Sequence, residues 1–367
     1  MLLRANLMLL MTAFIWGFGF VAQDEAMKHL DAYSFNALRF LLGALSLLPL
    51  VCFSGTTKAS SFNGGKPFWV IGGLAGIALL FGATLQQLGI DVLGNDPNEA
   101  TEGKAGFITG LYLVIVPLIG FCLRQKIDKL TIAGTLVATY GLYLLSIKEG
   151  LTIGEGDSLV LIGAFFWAVH VQVVGYAAKY KLDPLKLAIL QYSICAALSL
   201  GLYFLNYHVL EIGVDKLSLQ STLDASGAIL FAGFVSVGVA YTLQIIAQRH
   251  VAPSRAAILL SLEAVFAVLA GWLWDGNLLD SRESWGCMLM FAGMMLSQAP
   301  TKKPKDKDAT PSTTSPEEAA EASGLTLQKN PDGSTPSYEE LLSLVDIVEE
   351  DEEGNEVSRR SFDPSKD

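Results

Sequence analysis

Ten long apolar runs punctuate this chain, near residues 7–23, 33–53, 68–90, 105–123, 130–147, 158–178, 185–205, 226–248, 256–274 and 282–299, and nothing else restricts its architecture as severely. A bilayer core of roughly 30 Å takes about 20 helical residues to cross. Lipid offers the backbone no hydrogen-bond partners, so each run must satisfy its own N–H and C=O groups as a helix. The alternation of a membrane barrel is missing. Composition agrees: 51% of the 367 residues are hydrophobic and the mean hydropathy is +0.43, too apolar for a domain solvated on every side. The expected fold class is an all-α membrane protein of ten transmembrane helices.

The first run follows Arg4, as a signal peptide's would, but Phe14-Ile15-Trp16-Gly17-Phe18-Gly19-Phe20 offers no clear small-x-small cleavage site and reads as a span. Cys52, Cys122, Cys195 and Cys287 lie in or at the ends of apolar runs, without the spacing of a metal or disulfide framework, and read as packing residues.

With ten spans both termini share one face, and the connections fall into two sets. The face of the termini carries fifteen Lys and Arg: Arg4, Lys58, Lys66, Arg124, Lys126, Lys129, Lys179, Lys181, Lys186, Arg249, Arg255, Lys302, Lys303, Lys305 and Lys307. The other carries five: Lys28, Lys104, Lys148, Lys216 and Arg282. The positive-inside rule puts both termini in the cytoplasm. The segment 300–367 has 17 acidic and 8 basic residues, a net −9 of the chain's −11, so the acidic balance belongs to this tail and says nothing about a ligand. Its polar, Pro- and Ser-rich composition predicts disorder, with a short amphipathic helix over 338–348 as the place where a tail-binding protein could dock.

Residues about 151 apart echo one another in order. Ala13-Phe14-Ile15-Trp16 returns as Ala164-Phe165-Phe166-Trp167, Asp31 as Asp183, Arg39 as Gln191, and Ala44-Leu45-Ser46-Leu47 as Ala197-Leu198-Ser199-Leu200. Thr84-Leu85-Gln86 matches Thr242-Leu243-Gln244, and Tyr112 falls on Glu263. The chain therefore divides into a first repeat, 1–150, a second, 151–299, and the tail, 300–367. Five spans per repeat force the second copy to insert upside down, an inverted-repeat architecture used by transporters to open one midplane site to either side.

Ionisable residues inside spans are expensive and mark function or pairing. Glu263 is a carboxylate about seven residues into the ninth run, roughly 10 Å deep at 1.5 Å per residue. It reads as a substrate or proton site, or as a structural hydrogen-bonded carboxyl. His170, in the sixth run at a comparable depth, either meets Glu263 or bonds a backbone carbonyl. Arg39, in the second run, either snorkels to the outer edge or binds the carboxylate or phosphate of a substrate. Trp16, Gly19 and Gln23 share a face of the first run and Tyr241, Gln244 and Gln248 one of the eighth, while Gln86 and Gln87 mark the third and Tyr112 the fourth, a lining suited to a small polar molecule. Taken singly, each is more often interhelical glue. No Walker loop, zinc motif or nucleophile elbow is present, so neither enzyme nor cofactor is expected, and the basic residues follow the membrane edge rather than a nucleic-acid face.

The segments Trp16-Gly17-Phe18-Gly19-Phe20, Asn36-Ala37-Leu38-Arg39-Phe40, Gly106-Phe107-Ile108-Thr109-Gly110-Leu111-Tyr112 through Pro117, and Ser261-Leu262-Glu263-Ala264-Val265-Phe266 through Gly271-Trp272 resemble EamA-type transporters of the drug/metabolite transporter superfamily, over residues 5–299. That resemblance implies two inverted repeats around a central cavity and export or exchange of amino acids or related metabolites across the bacterial cytoplasmic membrane. The partners implied are a small-molecule substrate and the lipid bilayer, with a homodimer left open. The family often has Pro directly after the ninth-run Glu, where this chain has Ala264. A reading from another class, a membrane receptor or scaffold signalling through the acidic tail, stands beside the transporter.

Overall fold

The computed structural model describes residues 1–53, 65–94, 101–146, 154–212, 216–275, 281–299, 346–350 and 356–361. They form two units, Met1–Thr301 and Lys302–Asp367.

The first unit is helical throughout its described residues. In order come α1 (Leu2–Met27), α2 (Ala32–Phe53), α3 (Gly65–Leu93), α4 (Thr101–Gly110), α5 (Tyr112–Cys122), α6 (Lys129–Ser146), α7 (Glu155–Ala177), α8 (Pro184–Phe204), α9 (Leu219–Asp224) and α10 (Ser226–Leu230). A π-helical segment, Phe231–Tyr241, leads into α11 (Thr242–Ala247), followed by α12 (Pro253–Leu260), α13 (Glu263–Asp275) and α14 (Ser281–Gln298). Eight helical stretches among the described residues are long and apolar enough to cross a membrane: Leu2–Met27, Ala32–Cys52, Gly65–Leu93, Gly103–Cys122, Glu155–Tyr180, Pro184–Val209, Ser226–Ala247 and Pro253–Leu273. Lys129–Leu145 is apolar but shorter, and α14 opens on the polar turn Ser281-Arg282-Glu283-Ser284.

The unit has an apolar core, as a water-soluble protein does, but also exposes large apolar side chains and buries polar ones. Phe121, Leu136 and Met295 are exposed, while Asn36, Gln87, Gln191 and Gln244 are fully buried, as expected where lipid covers the outside and polar groups find partners only within. Local signals set the helix starts. Asp31 accepts hydrogen bonds from the N–H groups of Tyr33 and Ser34 at 2.9 and 3.0 Å before α2. Its echo Asp183 accepts those of Leu185 and Lys186 at 3.0 and 3.2 Å before α8, with Pro184 as first helical residue.

Helix pairs approach closely where glycine removes the side chain. A Cβ built on Gly134 would stand 2.6 Å from the carbonyl oxygen of Gly293, and one on Gly141 2.7 Å from that of Gly286, so α6 and α14 touch backbone to backbone and run antiparallel. Gly82 faces Trp167 and Gly89 faces Gly156 and Val160, making α3 antiparallel to α7. Gly72 faces Leu187 and Leu190 while Gly76 faces Gln191 and Ile194, so α3 and α8 run parallel.

Two long apolar runs are broken near their centres. Between α4 and α5 the N–H of Leu111 donates to the Ile108 carbonyl at 3.2 Å, and between α12 and α13 that of Leu262 donates to Leu259 at 3.3 Å, both across three residues instead of four. Such tightened turns inside a helix mark hinges and functional sites.

In the second unit Asp346–Glu350 and Glu356–Ser361 pair as antiparallel strands, with Ile347 opposite Arg360 and Val348 opposite Arg359. This corrects the expectation of a helix reaching Val348, since residues 346–348 are strand, the conformation that β-branched residues favour. The rest of that expected helix, 338–345, lies outside the described residues, as does most of the tail for which disorder is expected.

Candidate functional site

One pocket in the helical unit is lined by nine of the residues singled out from the sequence, Trp16, Gln23, Arg39, Gln86, Tyr112, His170, Tyr241, Gln244 and Glu263, while Gly19, Gln87 and Gln248 are not among its lining residues. Five further lining residues, Phe20, Thr109, Trp167, Val171 and Ser236, escaped the sequence reading. Trp167 carried a usable signal as the echo of Trp16. Phe20 follows Trp16 by one helical turn on the same face. Thr109 and Ser236 are short hydroxyls in apolar runs, indistinguishable by pattern from interhelical glue.

The broken helices explain why two of these residues reach the pocket. Tyr112 is the first residue of α5 and Glu263 the first of α13. The two breaks sit at matching places in the repeats, and they bring the Tyr112 hydroxyl beside the Glu263 carboxyl. Tyr241, where the π-helical segment meets α11, is the aromatic centre. Its ring lies 4.4 Å from Trp16, 5.8 Å from Trp167 and 6.2 Å from His170, centre to centre.

The polar residues divide into those with partners and those without. Gln86 Nε2 donates to Thr109 Oγ1 at 2.8 Å, and Gln244 Nε2 to Gln248 Oε1 at 2.9 Å. His170 Nε2 hydrogen-bonds Gln191 Oε1 at 2.9 Å, so its partner is a side chain rather than Glu263 or a backbone carbonyl. Arg39 is 3% exposed, with its Nε–H donating to Asn36 Oδ1 at 2.8 Å and its Nη1–H to Gln23 Oε1 at 3.2 Å. A head fixed in this way does not snorkel to the membrane edge.

Five buried side-chain atoms of residues that line the pocket have no hydrogen-bond partner in the protein, Trp16 Nε1, Arg39 Nη2, Trp167 Nε1, His170 Nδ1 and Gln244 Oε1, while the Tyr112 hydroxyl and the Glu263 carboxyl face one another. Buried polar atoms are satisfied in the great majority of cases, and leaving one open costs about 1–3 kcal/mol. Five such atoms on residues around one space, donors and acceptors together, suit a polar ligand better than an internal seam. Among the described residues neither Arg39 nor Glu263 enters an ion pair, and no group of three or more His, Cys, Asp or Glu is placed to hold a metal.

A bundle of long apolar helices with a partly polar pocket among them defines a multi-pass membrane protein. The model of the EamA-like transporter family matches twice, over residues 3–147 and 154–298, and the chain belongs to that family, a class of transporters rather than enzymes. It is 28% identical over 295 residues to an uncharacterized transporter of Archaeoglobus fulgidus, covering 80% of this chain and 85% of the relative. It is 23% identical over 301 residues to the uncharacterized transporter YoaV of Bacillus subtilis, covering 81% and 97%. Among solved structures, the crystal structure of a protein 18% identical in sequence superposes with a TM-score of 0.62, covering 80% of this chain and 96% of that one, and shares its fold.

Proposed function

We propose that this protein is a secondary or facilitative transporter, acting as an exporter of a small polar metabolite such as an amino acid or a related compound. It spans the bacterial cytoplasmic membrane ten times, as two inverted five-helix repeats over 1–150 and 151–299, with both termini cytoplasmic, and works by alternating access. One observation carries the reading: residues equivalent under the repeat, Trp16 with Trp167, Gln86 with Gln244 and Tyr112 with Glu263, line the same pocket. A site lined by both members of each pair lies close to the axis relating the halves, where exchanging the two halves' conformations opens it first to one side and then to the other.

Helix direction supports the span count. In ten alternating crossings, α3 and α8 are the third and seventh and must run parallel, whereas α7 is the sixth, antiparallel to α3, and α14 the tenth, antiparallel to the fifth, α6. The glycine contacts have that pattern.

Within the pocket Glu263 is the ionisable acid, and it takes up a proton or a substrate ammonium. The test is uptake of the identified metabolite into proteoliposomes across a pH series. Glu263→Gln, which keeps size and hydrogen bonding but cannot ionise, is expected to flatten the pH profile. A profile identical to wild type would remove Glu263 from that role.

A further inference from the structure

Arg39 is built as a receptor for charge. Its guanidinium has the rings of Phe35 and Phe40 at 5.0 and 5.1 Å from Cζ, and its two hydrogen-bonded nitrogens are held by Asn36 and Gln23. Those partners are themselves tied down: the Gln23 carbonyl oxygen accepts from Gln87 Nε2 at 3.2 Å, and Asn36 Nδ2 lies 3.5 Å from Thr84 Oγ1. Three helices, α1, α2 and α3, thus fix the head in one position, and every group they offer it is neutral. A guanidinium does not lose its proton in a protein. Buried among neutral groups, its charge is partly solvated and not balanced. Nη2, the nitrogen that none of these partners reaches, has no hydrogen-bond partner in the protein, and Arg39 is one of the residues that line the pocket.

We infer that the transported molecule carries a carboxylate and that Arg39, through Nη2, receives it. The inference rests on the transporter reading and narrows its substrate class. A carboxylate matches the single charge of the guanidinium and its planar donors. A phosphomonoester brings nearly two negative charges at neutral pH, which one arginine cannot balance and which Glu263 in the same wall would repel. A cationic amine without an acid group would leave Arg39 unpaired and add repulsion. Arg39 is therefore the residue that discriminates acids from their uncharged derivatives.

The experiment compares metabolites inside and outside cells that make the full-length protein, cells that lack it, and cells that make Arg39→Gln or Arg39→Lys at the same level. Metabolites whose distribution depends on the wild-type protein are expected to bear a carboxylate. Arg39→Gln should reduce their protein-dependent flux roughly 10-fold or more, the loss expected for a hydrogen bond to a charged group. Arg39→Lys, which keeps the charge and loses the planar fork, should fall between. Proteoliposomes with wild-type protein then receive an identified acid and its primary amide, and only the acid should be carried. A dependent metabolite without an anionic group, or equal transport of acid and amide, overturns the inference and leaves the transporter standing. This second comparison uses wild type alone and decides the matter even if the Arg39 variants fail to fold. If no metabolite depends on the protein, the transporter reading fails and the inference falls with it.

Discussion

Gln23 supports the pocket in two ways at once: its side-chain oxygen receives Arg39 Nη1 and its backbone oxygen receives Gln87. Gln23→Leu keeps most of the volume but removes the side-chain acceptor, together with the Nε2–H that donates to the Gly19 carbonyl at 3.3 Å, leaving the buried Arg39 Nη1 without its partner. The expected cost is about 1–3 kcal/mol, read as a lower thermal midpoint of the detergent-purified protein, together with weaker substrate binding as the guanidinium loses its fixed position. Such support was only half legible in the sequence. Polar residues are rare within apolar runs, so Gln23, Gln86 and Gln244 stood out on that ground alone, and Glu263, His170 and Arg39 through the cost of burying charge. What periodicity does not carry is which of them keep their polar ends for one another. Asn36 follows an ordinary pattern of helix spacing, yet it holds Arg39 at i+3, a role visible only once rotamers are fixed.

At the level of elements, uniform apolarity both revealed and concealed. Long apolar runs mark helices because lipid permits little else, but a run that is apolar all round has no periodicity in which a break would show. The three-residue turns at Leu111 and Leu262 and the π-helical segment Phe231–Tyr241 were invisible for that reason. Proline is not at the Leu262 break, since Ala264 stands where the family often has it. The break itself makes that position tolerant: Ala264 is the second residue of α13, and its N–H makes only a short-range bond to the Ser261 carbonyl at 3.1 Å. Proline is accepted in a helix's first turn and costs about 3 kcal/mol or more in its interior. Ala264→Pro is therefore expected to leave the thermal midpoint nearly unchanged. Ala267→Pro, one turn further and fully buried, should lower it sharply or prevent recovery of folded protein. Equal effects of the two substitutions would mean that α12 and α13 behave as one continuous helix.

Among the described residues three ion pairs tie the first repeat to the second: Lys216 lies 3.6 Å from Asp91, and the other two sit at the starts of corresponding helices. Lys104, near the start of α4, lies 3.0 Å from Asp157 of α7. Arg255, near the start of α12, lies 3.0 Å from Asp128, which caps α6 through the N–H of Thr131 at 2.9 Å. In the ten-span arrangement α4 starts after three crossings and α12 after eight, so these two pairs close opposite faces. Burial pushes the Asp128 carboxyl up, but hydrogen bonds from Thr131 and Arg255 and the Arg255 charge outweigh it and hold the group below its ordinary value. A depressed carboxylate contributes its pairing above the unfolded-state value and loses it as pH falls through the folded one. In the proposed orientation, acid is thus expected to loosen the cytoplasmic face, and Asp128→Asn to do the same at neutral pH, since asparagine still caps the helix while the ion pair is gone. Lys104→Met should loosen the outer face instead. A cysteine placed at Ser236 in the pocket wall, in a chain whose four native cysteines are replaced by serine, reports which face is open through its labelling rate with an impermeant maleimide. Asp128→Asn should speed labelling from the cytoplasmic side of inverted vesicles and Lys104→Met from the outside of intact cells. If both variants label like the parent, the closures are held by the packed helices themselves and the ion pairs are only caps.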